Sequence, residues 1–186
     1  MDRLRESLKA APVVDRGEYQ YFVHPVSDGI PLVEPGLLQE IAKEIVEAID
    51  LDGIDKIVTA EAMGIHIATA VSIESGVPFV IARKREYGFE DEVAVHQETG
   101  YGESELYVNF VEPGDRVIIL DDVLSTGDTL DALSQAVTAR NANIEDIIVV
   151  IRRTGDNEIP SLPVPPKHLI EIDVVDGEVV IIDEAT

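Results

Sequence analysis

The chain is predicted to be an α/β domain, a parallel sheet with helices packed against it. Three observations carry the prediction. Apolar runs of strand length alternate with helical stripes through most of the sequence, the order that gives parallel strands joined by right-handed crossovers. Val117-Ile118-Ile119-Leu120 is an unbroken branched apolar run, as expected of a strand buried on both faces. That run ends in Asp121-Asp122, passes through small and hydroxyl residues around Gly127, and enters a new helical stripe of Leu130, Leu133, Ala136 and Val137.

Taken in order, residues 2–10 suit a short helix ended by Ala11-Pro12, because proline disfavours helix in the residue before it. From Gly17 to Val33 the prolines, Asp28-Gly29 and the cluster Tyr19, Tyr21, Phe22 read as short strands and turns. Pro35 opens a helix whose stripe Leu37, Leu38, Ile41, Ile45, Ile49 runs to about Asp50. Lys56–Ala60 is a strand, Gly64–Ser75 a helix and Pro78–Ala82 a second strand. A polar excursion between Tyr87 and Gly102 flanks a short Val93–Val95 strand and has the character of a mobile lid, placed at about 84–106. Arg116–Leu120, a helix over Thr129–Arg140 and Ile144–Ile151 complete another strand-helix-strand unit. Ile159–Pro166, with four prolines, is an extended connection. Leu169–Val175 and Val179–Ile182 form a strand pair turned at Asp176-Gly177. Neither an internal repeat nor a linker divides the chain, so a single domain spans 1–186.

A strand that ends in acids, a tight loop and a helix start together make an anion site. The first helical N–H groups lack backbone partners, and the helix dipole adds partial positive charge. Ser125, Thr126 and Thr129 offer hydroxyl donors as well. The plainer reading is a strand-turn-helix capped by Ser125 or Asp128. Two adjacent carboxylates are harder to explain as capping. Beside a phosphate cradle they suit a ligand that also brings hydroxyls or a divalent cation, such as a phosphorylated sugar with Mg²⁺.

Composition bounds the rest. With 186 residues, 45% of them hydrophobic, the chain can build one substantial core. It has no cysteine, which excludes disulfides and thiolate chemistry. No 18-residue apolar run and no leader-like N-terminus is present, and the expected location is the cytoplasm. Thirty-seven acids against 14 Lys and Arg give a net charge of −23. That sign argues against nucleic-acid or anionic-membrane partners. The acids are dispersed rather than gathered in a tail, so the expected setting is a high-salt cytosol that screens them. Arg83-Lys84-Arg85 stands out as a basic cluster in this acidic chain. The four histidines (24, 66, 96, 168) lack metal-ligand spacing, and His66 is expected on a helix surface. No nucleophile elbow and no Walker-type loop occurs.

Asp121-Asp122-Val123-Leu124-Ser125-Thr126-Gly127-Asp128-Thr129 resembles the phosphoribosyl-pyrophosphate (PRPP) signature of type I phosphoribosyltransferases. Thr59-Ala60-Glu61-Ala62-Met63-Gly64 and Val80–Arg85 resemble the pyrophosphate loop and basic strand end of the purine enzymes of that superfamily. The resemblance extends from about Gly17 to about Val150, and it is to the archaeal hypoxanthine/guanine phosphoribosyltransferases, whose sequences are adenine-phosphoribosyltransferase-like. It implies a parallel-sheet core with a small hood from 1–34 and 155–186, and a likeness to dimeric enzymes. Asp121 and Asp122 would hold the ribose hydroxyls, directly or through Mg²⁺ bound by the same two residues. Ser125, Thr126, Gly127, Asp128 and Thr129 would cradle the 5′-phosphate. Glu61, Ala62, Met63 and Gly64 would present backbone N–H groups to pyrophosphate, where relatives often hold a cis peptide, and Arg83, Lys84 and Arg85 would add charge. Two positions depart from the pattern. Asp128 stands where glycine or lysine is usual. Gly100 stands where the adenine enzymes have a glutamate before Tyr-Gly; Glu98 is either its replacement after a shift of the lid or a solvated acid. The implied activity joins a purine base to PRPP, with 6-oxopurines first and adenine second; a non-catalytic PRPP sensor is the other class.

Overall fold

Branched residues in alternation build the centre of the sheet. In β7 (Arg116–Leu124), Ile118 and Leu120 enter one buried cluster while Val117 and Ile119 enter another on the opposite face. β8 (Asn143–Arg153) does the same, with Ile148 and Val150 on one side and Ile147 and Val149 on the other. Both faces are apolar because both are covered. The computed structural model describes residues 1–15, 17, 20–99, 102–154 and 159–184, and omits the side chains of 97–99, 102–104 and 184.

The main sheet has six strands in the order β10-β9-β8-β7-β3-β4, where β3 is Lys56–Ala60, β4 Phe79–Ala82, β9 Lys167–Val175 and β10 Glu178–Glu184. Every neighbouring pair is parallel except β9 with β10. One face is covered by α1 (Asp2–Lys9), α3 (Pro35–Ala48) and α4 (Gly64–Ser75), whose Leu4, Leu8, Ile41, Ile45 and Ile67 are fully or almost fully buried. The other is covered by α5 (Asp128–Ala139), through Leu130, Leu133 and Val137, and by the hairpin β5 (Val93–Thr99) and β6 (Gly102–Val108).

The hairpin departs from expectation. Its strands pair without a break from Val93↔Val108 to Thr99↔Gly102, where only Val93–Val95 was expected. The alternation of Val95, Leu106 and Val108 explains it: these side chains point inward and are buried in the cluster that α5 shares, while Ala94, His96 and Glu105 are exposed. Arg83 and Tyr107 join the hairpin to the end of β4 by a reciprocal backbone pair, at 2.9 and 2.7 Å. At the far edge, β9 and β10 extend the main sheet, and Arg153 donates to the Gln20 carbonyl of the small β1–β2 hairpin (Val13–Asp15, Gln20–Phe22). Contacts of α1 with β10 and of β2 with β9 also bring the N- and C-terminal segments together. Tyr19 of the expected aromatic cluster lies outside the described residues.

A short helix, α2 (Pro25–Asp28), stands where only turns were expected. Its cap is a side chain. His24 is buried, accepts from the Val26 N–H at Nδ1 (3.2 Å) and meets Ser7 Oγ at Nε2 (2.9 Å). Burial pulls its pKa down from 6.5 to about 4, against the opposing charge of Asp28. The unfolded chain therefore binds the extra proton first. Stability conferred by neutral His24 is complete above pH 6.5 and should decline by up to roughly 3 kcal/mol as pH falls to 4. Urea titrations at fixed salt should show this step in the wild-type chain and a flatter profile in His24→Asn, which keeps a capping acceptor without the titration.

Candidate functional site

The site arises where two strands part. β3 and β7 pair from Lys56↔Val117 to Val58↔Ile119 and then separate, while β7 continues beside β8 to Leu124↔Arg152. Chain order also reverses here, since β3 leads to β4 on one side and β7 leads to β8 and β9 on the other. Crevices at such a reversal, beyond the carboxyl ends of parallel strands, are where open α/β sheets bind ligands. The two acids were expected past the end of the strand. Instead they sit inside β7, beyond its pairing with β3. Their backbone is held by β8, and the Asp121 carboxylate reaches the start of α4.

Two helices begin at this crevice with no capping hydrogen bond from the side chain of the residue before them. α4 starts at Gly64 behind Met63, and α5 starts at Asp128 behind Gly127, which has φ +87°. Neither Ser125 nor Asp128 is the cap, so the capping alternative fails. Asp128 occupies the first helical turn, where the dipole favours a carboxylate. Gly127 is required twice over. Its backbone is left-handed, and an added Cβ would come 2.8 Å from Pro160 Cδ of the segment packed against it. Ser125, Thr126 and Thr129 are half-buried around this turn.

Asp121 is buried and Asp122 partly so. Burial raises the Asp121 carboxyl to about 6, with a hydrogen bond to Asp122 opposing the shift. Burial, then the charge of Asp121, raises Asp122 well above the carboxylate range. Neither has an ion-pair partner among the described residues. A buried acid pair without a cation is costly, and it suits a ligand that supplies positive charge or hydroxyl donors. The pair offers only oxygen, the donor type that magnesium takes. Beside it lies a second orphan: Thr59 Oγ1 is buried with no hydrogen-bond partner. Both groups close on the first residue of α4. A Cβ on Gly64 would overlap Thr59 Oγ1 and stand 3.0 Å from Asp121 Oδ1.

The loop after β3 faces the end of β4. Glu61 N–H donates to the Ala82 carbonyl at 3.0 Å, and the Glu61–Ala62 peptide is cis. The Glu61 carboxylate takes Arg83 Nη1 at 3.1 Å on Oε2 and the Lys84 N–H at 2.7 Å on Oε1. Burial pushes this carboxyl up, but the Lys84 N–H and Arg83 outweigh it and hold it below the usual range. The basic cluster thus divides. Arg83 turns to Glu61, the Lys84 side chain is exposed, and Arg85 lies over the Tyr87 ring at 5.6 Å.

Of the residues singled out from sequence, Asp121, Asp122 and the Ser125–Thr129 turn share the crevice with the start of α4. Glu61 and Arg83 are joined at the neighbouring strand ends. Glu98 lies in β5, its backbone opposite Glu103, but its side chain is not described; Gly100 and Tyr101 lie outside the described residues. One site residue, Thr59, and one side-chain role, that of Glu61, were missed. Thr59 was readable as a hydroxyl inside an otherwise apolar strand. The role of the Glu61 side chain depends on a contact across 22 positions and left no trace in the pattern. His66 is half-buried rather than on the helix surface; its Nε2 has no partner, and burial lowers its pKa. Pairing of β9 with β10 brings His168, Glu171 and Asp183 within 4.8 Å, a grouping that linear spacing hid, though Glu171 also meets Arg152 at 3.5 Å.

Gly64→Ala should cost about 1–3 kcal/mol, the usual range for overpacking. Combining it with Thr59→Ala, which removes the overlapping hydroxyl, should recover most of that loss. Denaturant midpoints of the two single variants and the double variant at constant salt check this.

The family model of the phosphoribosyl transferase domain matches residues 34–164, the span that contains the crevice and both helix starts. HGPRTase-like protein 2 of Halalkalicoccus jeotgali is 55% identical over 185 residues, covering 99% of this chain and 98% of the relative. The HGPRTase-like protein of Halobacterium salinarum is 52% identical over 184 residues, again covering 99% and 98%. Among solved structures, adenine phosphoribosyltransferase from Rhodothermus marinus superposes with a TM-score of 0.72 at 25% identity, over 92% of this chain and 99% of that one.

Proposed function

Since the chain belongs to the phosphoribosyl transferase domain family, we propose that it is a purine phosphoribosyltransferase that joins hypoxanthine or guanine to PRPP, giving the nucleoside monophosphate and pyrophosphate. A ring nitrogen of the base forms a bond to C1 of the ribose as the bond from C1 to the pyrophosphate oxygen breaks. The proton on that nitrogen is lost, and pyrophosphate leaves as an anion.

The observation that carries this reading is the uncompensated pair Asp121–Asp122 beside the uncapped start of α5. A phosphorylated sugar satisfies both halves at once. Its 5′-phosphate accepts from the amides of the Ser125–Thr129 turn, and its 2′- and 3′-hydroxyls donate to the acids. Asp121 and Asp122 fit a divalent cation as well, and Mg²⁺ held there would neutralise charge on the diphosphate side of the ribose. The Ala62–Gly64 backbone amides with Arg83, Lys84 and Arg85 form the proposed pyrophosphate side; the Glu61 N–H, also expected there, is already taken by the Ala82 carbonyl. Glu98 is the carboxylate proposed to exchange the proton of the base. Residues from about 84 to 106, which include β5 and most of β6, are proposed as the lid, and segments 1–34 and 155–186 as the hood. Because charge develops as pyrophosphate departs, the chain's task is to hold the parts in place and exclude water from C1.

The choice of base rests on relatives above 50% identity that carry the HGPRTase-like name, against a solved adenine enzyme at 25% identity. The Rhodothermus likeness makes adenine the second reading. A homodimer is proposed from the family resemblance of the sequence, and a salt-rich cytoplasm from the net charge of −23.

Nucleotide formation from PRPP and Mg²⁺, assayed separately with hypoxanthine, guanine, xanthine and adenine in multimolar KCl, tests the proposal. Product from 6-oxopurines alone is expected, and product from adenine alone would establish the second reading. Asp122→Asn should lower kcat/KM by on the order of 100-fold without unfolding the chain. Bound PRPP with no product from any base would sink the enzyme reading in favour of a sensor.

A further inference from the structure

The Glu61 carboxylate sits on Arg83 and on the Lys84 N–H in the way an anionic ligand would. Its two oxygens take the guanidinium at 3.1 Å and the backbone amide at 2.7 Å. Both donors lie at the end of β4, and the loop that carries Glu61 is tied to the same strand end through Ala82. Arg83 is itself fixed at the backbone by Tyr107 of the hairpin, so its guanidinium is presented from a braced position. An oxyanion of a diphosphate arriving from the crevice needs the same two donors. A carboxylate and a phosphate cannot both occupy them without like-charge repulsion.

We propose that the Glu61 side chain is an internal competitor for the diphosphate group, a positioning residue that holds Arg83 while the site is empty and yields it when pyrophosphate or the pyrophosphate group of PRPP binds. The proposal rests on the crevice being a diphosphate site. Glu61 then sets affinity twice. It keeps a basic strand end from collapsing onto other acids of a chain with 37 Asp and Glu, and it subtracts its own ion pair from the binding free energy of the ligand. A weakened hold on pyrophosphate serves turnover, because the same group must leave after each reaction.

Calorimetric titration of inorganic pyrophosphate into the full chain, at fixed KCl and Mg²⁺, tests this with wild type, Glu61→Gln, Arg83→Gln and the double variant. Glu61→Gln should bind pyrophosphate about fivefold more tightly, the equivalent of one partly exposed ion pair. Arg83→Gln should bind more weakly, and adding Glu61→Gln to it should bring no gain. Glu61→Asp, too short to span both donors, should fall between wild type and Glu61→Gln; thermal midpoints confirm that each chain is folded. Pyrophosphate binding in folded Glu61→Gln that equals or falls below wild type overturns the competitor role while leaving the diphosphate site standing. Absence of binding to any of the chains, with PRPP as well as pyrophosphate, overturns both.

Discussion

The parting of β3 from β7 is the constraint on which the site depends. Up to Val58↔Ile119 the two strands share backbone hydrogen bonds; beyond it β3 runs on through Thr59 and Ala60 beside β4 alone, and β7 goes on with β8 as its only partner among the described residues. That asymmetry opens a gap in an otherwise apolar sheet, and it places two carboxylates on a rigid strand instead of a loose turn. Everything around the gap follows from keeping it open. Gly64 lets the start of α4 lie against Thr59 and Asp121, and Gly127 lets the chain reverse under Ile159 and Pro160 before α5 begins.

Much of this could be read from residue order. The apolar alternation of Val117–Leu120 and of Ile147–Val150 gave both the strands and their burial, because a strand covered on two faces has no polar side to hide. Asp121-Asp122 and the turn at Gly127 were visible because acids and a glycine at a strand-to-helix junction have few structural excuses. The β5–β6 hairpin was under-read for the opposite reason. Its inward residues are few and spaced among polar and turn-like ones, so its pairing emerges only when Val95, Leu106 and Val108 join the cluster of α5. The same limit hid Glu61 with Arg83, and His168 with Glu171 and Asp183, since long-range pairing leaves no local period.

Charge is used differently inside and outside the molecule. At the surface, the exposed share of the chain's 37 acids, set against 14 bases in all, loses most of its mutual repulsion in concentrated salt. At the crevice, Asp121 and Asp122 are shielded from that screening by burial, so their electrostatics belongs to the fold and its ligands. Lys56 with Asp115 and Lys167 with Asp146 show a third use, pairing at the amino-terminal edge of the sheet where they join β3 to β7 and β8 to β9.

The edge strand β10 carries a further consequence. Its outer rim ends the sheet, with Val180 and Ile182 exposed and Glu178 and Asp183 alongside. In dilute solution those acids would keep a second β10 from adding on. At molar ionic strength the Debye length is about 3 Å, and that electrostatic guard reaches little further than contact. The register shift between Ile181 and Asp183 does not depend on salt. A local irregularity spoils the straight ladder that strand addition needs, so in brine it is geometry that protects this rim from edge-to-edge aggregation.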